Sequence, residues 1–174
     1  MIYLENRTRG TGLDARAAAR VCETLLAAIG ERGSSVSLTF IRDSEMRALN
    51  AEHRAKDTPT DVLSFPIFEP EDFDRTGATR PAPVIPSLTM DSRDAGMERM
   101  LGDIVISVDT ALRQAADYDA PLAREVERLL IHSVLHLAGH DHMEPGERAV
   151  MEAEERRLAD TIAMPWPYLR EATD

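Results

Sequence analysis

The chain has 174 residues, the size of one ordinary domain, and can bury most of its apolar surface without covalent staples. Its one cysteine, Cys22, excludes an internal disulfide, and the opening MIYLENRTRG lacks the basic-then-apolar layout of a secretion signal, so a reducing cytoplasm is the expected compartment. A net charge of −11, from 31 acidic and 20 basic residues, argues against an affinity built on neutralising many phosphates, and no apolar run is long enough to cross a bilayer.

In chain order, MIYLEN reads as an opening strand, and DARAAARVCETLLAAIG as an amphipathic helix stopped by Gly30. SVSLTFI alternates as a strand does. Asp43 or Ser44 is expected to cap a short helix, SEMRALNAEHR, and TPTDVLSFPI gives a further strand between Pro59 and Pro66. The window from Arg42 to Lys56 also holds Arg47 and Arg54, a local basic exception that could steer a phosphate. From Phe68 to Met100 periodicity is lost among Pro, Asp, Glu, Thr and Arg, so residues 68–100 are expected to form a flexible insertion or a lid.

Order returns with LGDIVISVDTALRQAADYD, a buried strand running into a helix. Asp119 and Pro121 precede the helix PLAREVERLLIHSVLHLA, which Gly139 ends. A last helix, PGERAVMEAEERRLAD, precedes a tail in which Trp166 is expected to pack loosely on the body. The sum is one α+β domain over residues 1–174, with about four strands and about five helices out of strict alternation.

Four of the five histidines lie in IHSVLHLAGHDH, residues 131–142. Histidine is costly to bury without a partner, so such crowding needs chemistry to explain it. His132 and His136 are four apart on a helix and share one face, so two imidazoles can bite one ion. Gly139 lets the chain fold back and bring His142 in as a third ligand. Three imidazoles leave the fourth tetrahedral position of zinc open, which separates catalytic from structural sites. Other divalent metals suit the same set. His140 is expected to line the cavity or face solvent.

Two enzyme readings meet here. H-x-x-x-H-x-x-G-x-x-H is also the spacing of metzincin proteases, whose general base is a glutamate directly after the first histidine. Ser133 stands there instead and cannot do that proton transfer unaided, which makes the metalloprotease the runner-up. A non-catalytic zinc scaffold is the third reading. An open fourth position and a lone thiol weigh against it.

Together, LNAEHRAKDTPTDVLSFP, LGDIVIS and HSVLHLAGHDH, in this order, resemble the YbeY family of bacterial zinc-dependent endoribonucleases of rRNA maturation and ribosome quality control. The resemblance runs from the opening strand through MEAEE. It implies a small central mixed sheet with a metal cleft beside it, one zinc ion on His132, His136 and His142, and Arg54 as the family's functional arginine. It also implies single-stranded rRNA as substrate, 16S rRNA 3′-end maturation as the setting, and the ribosome or its proteins as partners, with no DNA and no membrane involved. His53 stands for a usual tyrosine, Ala55 and Ser133 for glycines, and His140 for a tyrosine, so extra imidazoles at 140 and 53 could bear on the metal. Asp61 and Asp103 could orient ligand imidazoles or serve as strand-end caps.

Overall fold

A computed structural model describes residues 1–68, 99–140 and 145–165. In order these form β1 (Ile2–Asn6), α1 (Ala15–Ala28), β2 (Ser34–Ile41), α2 (Asp43–Arg54), β3 (Val62–Pro66), β4 (Arg99–Ser107), α3 (Val108–Asp117), α4 (Leu122–Leu137) and α5 (Pro145–Thr161). The four strands make one mixed sheet in the order β1-β2-β4-β3. β1 and β4 each pair parallel with β2, and β3 pairs antiparallel with β4. The α+β expectation of about four strands and five helices therefore stands. The Phe68 to Met100 insertion falls, for residues 69–98, outside the described residues, as does Trp166.

Side-chain alternation sorts the sheet into two faces. Val36, Leu38 and Phe40 of β2, Ile104 and Ile106 of β4 and Val62 of β3 enter the main core with α1, α4 and α5. Ile41, Val105 and Leu63 point the other way and form a smaller cluster with Met46 and Leu49 of α2. α4 and α2 thus lie on opposite faces. α1 packs through Ala15, Ala18, Cys22, Leu25 and Leu26, an i, i+3, i+7, i+10, i+11 stripe, and its first turn is capped by the Asp14 carboxylate accepting from Ala17 N–H at 2.9 Å. α4 is the most enclosed helix, with Val126, Leu129, Leu130, Ile131, Val134, Leu135 and Leu137 all buried. Each such side chain contributes roughly 1.5–3 kcal/mol by leaving water.

Two local features place the elements near the site. At the β2 to β4 seam, Val36 pairs with Gly102 while Ser35 pairs with Met100, so Leu101 is an extra residue in β4. Gly102 at that bulge has φ +151°, and a Cβ there would stand 2.2 Å from the Phe65 carbonyl oxygen and 2.8 Å from Leu137 Cδ2. Only glycine lets β3, β4 and the end of α4 close up at this point. The second feature is the start of α2. Asp43 or Ser44 was the expected cap, but Arg42 occupies the cap position with no side-chain cap bond, and Asp43 is already helical. Its carboxylate instead accepts from Ser107 Oγ at 2.6 Å and Thr110 Oγ1 at 2.8 Å, tying α2 to the start of α3.

Candidate functional site

α4 brings His132 and His136 together as their spacing predicts. Their Nε2 atoms are 3.0 Å apart, with the rings edge to face at a centroid distance of 4.5 Å. On the far side of the His132 ring, Nδ1 lies 3.1 Å from Oε1 of Glu155, a residue of α5. An ionised carboxylate only accepts, so this contact calls for a proton on Nδ1 of His132, and in the neutral ring Nε2 then presents a lone pair. His136 can donate its own Nε2–H to that lone pair. Glu155, His132 and His136 thus stand in one line, and holding an ion between the two Nε2 atoms would require His136 Nε2 to give up that proton.

The sequence motifs do not single out Glu155. Met151, Leu158 and Ala159 of α5 are buried in the main core against α4, and Glu155, four residues after Met151 and three before Leu158, lies on that same inward stripe. The usable signal was a carboxylate at an apolar-stripe position. The acidic run around it, with Glu152 and Glu154, hid which one faced inward.

The end of α4 also follows the sequence. Gly139, with φ +76°, gives its N–H to the His136 carbonyl, and His140 N–H reaches back to the Leu135 carbonyl, both at 3.0 Å. This Schellman pair satisfies the last carbonyls and turns the chain sharply one residue after Ala138. The side chain of His140 is half-buried. His142 lies outside the described residues, so two of the three expected ligands are placed, and among the described residues no cluster of three metal-binding side chains is complete. The two that are placed fit a divalent ion: nitrogens about 2.0–2.1 Å from one centre at a tetrahedral angle stand about 3.3 Å apart, close to the observed separation. Cys22 offers no thiolate, since burial, with the nearby Glu23 charge, pushes its thiol up to about 12.

Arg54 is the last residue of α2, is exposed, and has no hydrogen-bond or ion-pair partner among the described residues. The next residue, Ala55, takes the left-handed conformation at φ +55° and ends the helix where the resemblance has glycine. The following loop is braced by a two-toothed Arg47 to Asp57 pair at 2.7 and 2.6 Å and by the Asn50 amide donating to the Thr58 carbonyl at 2.7 Å. His53 meets Phe65 edge-on at 4.9 Å, on the α2 face of the sheet, whereas the imidazole pair is carried by α4 on the other. Phe65 belongs to edge strand β3, whose backbone at the same residue touches Gly102 beneath Leu137. The α2 and α4 ends therefore reach the same stretch of β3 from opposite faces.

Among the described residues, neither expected orienting aspartate is hydrogen-bonded to an imidazole. Asp103 is exposed on the α2 side of the sheet. Asp61 accepts from the Gln114 amide at 3.1 Å and from Val62 N–H at 2.8 Å, and lies 3.6 Å from Arg128, which also pairs with buried Glu125 at 2.5 Å. Arg128 stands one turn before His132 on the same line of α4, so this network anchors the helix that carries the imidazoles. Burial pushes the Asp61 carboxyl upward, but the Gln114, Val62, Arg128 and Thr60 contacts outweigh it and hold the group below the ordinary aspartate value. The Ser133 hydroxyl, fully buried beside His132, has no partner among the described residues.

Comparison with known proteins agrees over most of this architecture. The family model described as Endoribonuclease YbeY matches residues 4–163. Proteins named Endoribonuclease YbeY from Moorella thermoacetica and Listeria monocytogenes serotype 4a are 41% and 40% identical over 146 and 134 residues, covering 83% and 77% of this chain and 84% and 76% of theirs. One from Anaeromyxobacter dehalogenans is 37% identical over 159 residues, 91% of this chain and 67% of its own. The solution structure of a Thermotoga maritima protein, 20% identical, superposes with a TM-score of 0.59 over 99% of this chain and 97% of that one, which shows a shared fold. With the family model spanning all but the two ends, the chain belongs to the YbeY endoribonuclease family.

Proposed function

We propose that this chain is a zinc-dependent endoribonuclease, one domain over residues 1–174, that cuts single-stranded rRNA in 16S 3′-end maturation and ribosome quality control. The observation that carries this reading is the convergence of the His132 and His136 Nε2 atoms at 3.0 Å, in a chain of the YbeY family. His132, His136 and His142 would hold the ion, which when bound supplies a Lewis acid for the scissile phosphate. Nickel or another divalent metal could take the same place according to supply.

The remaining work falls to the chain itself. Cleavage of a phosphodiester builds negative charge on its non-bridging oxygens, and the exposed Arg54 guanidinium, without a partner among the described residues, can meet two of them with its planar fork. Exposed, unstacked RNA bends into a recessed site more readily than a duplex does, hence the preference for single strands. Aromatic residues are only 5% of the chain, too few for extensive base stacking, so selectivity for the rRNA end is assigned to the ribosome or its proteins. We place this work in the cytoplasm; among the described residues no helix is long and apolar enough to cross a membrane.

The test is cleavage of labelled single-stranded RNA, duplex RNA and a casein-type peptide by wild type, His136→Ala and Arg54→Ala, with bound zinc measured in each. RNA alone is cut, and the single strand faster. His136→Ala loses zinc and activity together, whereas Arg54→Ala keeps zinc and loses about 100-fold or more in kcat, the scale of one lost transition-state donor. Peptide cleavage without RNA cleavage would sink the proposal in favour of the metalloprotease. Bound zinc with neither substrate cut, even on ribosomal particles, would leave the scaffold reading.

A further inference from the structure

We propose that Glu155 is a positioning residue, supplied by α5, that fixes the tautomer and ring orientation of His132 and so turns its Nε2 lone pair toward His136. The inference rests on the metal reading above for its purpose, but the contact itself stands on geometry. Glu155 Oε1 is 3.1 Å from Nδ1 of His132, and the two side chains are only 16% and 31% exposed. A carboxylate on the inward stripe of a helix needs a hydrogen-bond donor in compensation, and this ring nitrogen is the donor the structure supplies.

Its position separates the possible roles. The two nitrogens of an imidazole point away from one another, and Glu155 sits at Nδ1 while His136 sits at Nε2. The carboxylate is therefore behind the ring. There it is out of reach of an ion held on the Nε2 side, which excludes it as a direct ligand, and equally out of reach of a nucleophile at that ion, which excludes it as the general base. What remains is orientation. Left alone, either nitrogen of His132 can carry the proton, and a proton on Nε2 would block the lone pair that faces His136. The Glu155 bond selects Nδ1–H and raises the donor strength of Nε2. Because Met151, Leu158 and Ala159 pack α5 onto the core, the docking of one helix sets the chemical state of a side chain on another.

Two variants separate positioning from packing. Glu155→Leu fills the apolar stripe without an acceptor, and Glu155→Gln keeps a carbonyl oxygen that still accepts from Nδ1–H. Zinc affinity is read by chelator competition, the His132 tautomer by nitrogen-15 shifts of the metal-free protein at about pH 8, above the ordinary histidine value, and stability by urea unfolding. The expected result is a stability for Glu155→Leu equal to or above wild type, a zinc affinity weakened about 10- to 100-fold, and a loss of the Nδ1–H tautomer. Glu155→Gln should keep that tautomer and lose less than about 10-fold in affinity. Unchanged tautomer and affinity in Glu155→Leu would overturn the proposal. If wild type binds no zinc, the metal reading fails by itself, and the tautomer comparison still decides whether Glu155 orients His132.

Discussion

Asp61 shows how much one side chain can hold in this molecule. It joins β3 to Gln114 of α3 and Arg128 of α4, and its pKa lies below the ordinary aspartate value because those partners outweigh its burial. A carboxyl depressed in the folded state adds stability above its unfolded value, about 3.9, and that contribution is lost as pH falls through the lower folded value. Urea midpoints measured between about pH 6 and pH 2 should therefore fall more steeply in wild type than in Asp61→Asn. At neutral pH that variant is expected to be less stable by about 1–3 kcal/mol, from unmatched polar groups around Arg128 and Gln114. At this scale the sequence was legible where function is local. His132 and His136 need only the pitch of one helix, so their meeting could be read from a spacing of four. Glu155 and Asp61 depend on partners 23 and 67 positions away, and no local periodicity selects those. Asp61 and Asp103 were the natural candidates to orient an imidazole because they stand in recognisable motifs. Helix docking, not sequence proximity, decided the matter for Glu155.

Among the elements, β4 and α4 carry the greatest constraint. Their meeting point is Gly102, where the bulge, the Phe65 carbonyl and the Leu137 side chain leave no room for a methyl group. Gly102→Ala is expected to destabilise by about 3 kcal/mol or more, since both the φ angle and the clash with backbone oppose it. For a chain of this length that is a fall of about 10 °C in Tm, to be read by circular dichroism. Leu137 adjoins His136, so the same variant should also bind zinc less tightly. The existence of each strand and helix was legible, because periods of two and of about 3.6 are properties of consecutive residues. The order β1-β2-β4-β3 was not. It follows from which apolar faces match across tens of residues, and β4 pairs with β2 only after α2, β3 and residues 69–98 have intervened.

Across the whole molecule, the core and the imidazole pair are separable. The buried residues joining the sheet to α1, α4 and α5 form a continuous apolar cluster, and both histidines are only half-buried on α4 beside it. Stripping metal with a chelator should accordingly leave the far-ultraviolet circular dichroism unchanged and lower Tm by no more than about 10 °C, the loss of ligand linkage alone. A structural zinc site would instead unfold. The same separation suits a chain of net charge −11 that handles RNA: affinity need not come from a broad basic surface if an ion and one arginine act at a single phosphate.

The β3 to β4 ladder has a consequence for how this chain can change over time. Its rungs run from Val62 opposite Ile106 to Pro66 opposite Gly102, and Ile67 N–H adds one more bond to the Leu101 carbonyl at 2.9 Å. The two ends of the intervening connection are thus pinned side by side whatever its length. Closing a loop between fixed ends grows in free energy only with the logarithm of its length, about 0.6 kcal/mol for each doubling. The ladder itself therefore sets no particular length between its two ends, and the Gly102 contact beneath Leu137 keeps its geometry independently of that length. That gives selection a place to lengthen or shorten the chain without disturbing the helix that holds the two imidazoles.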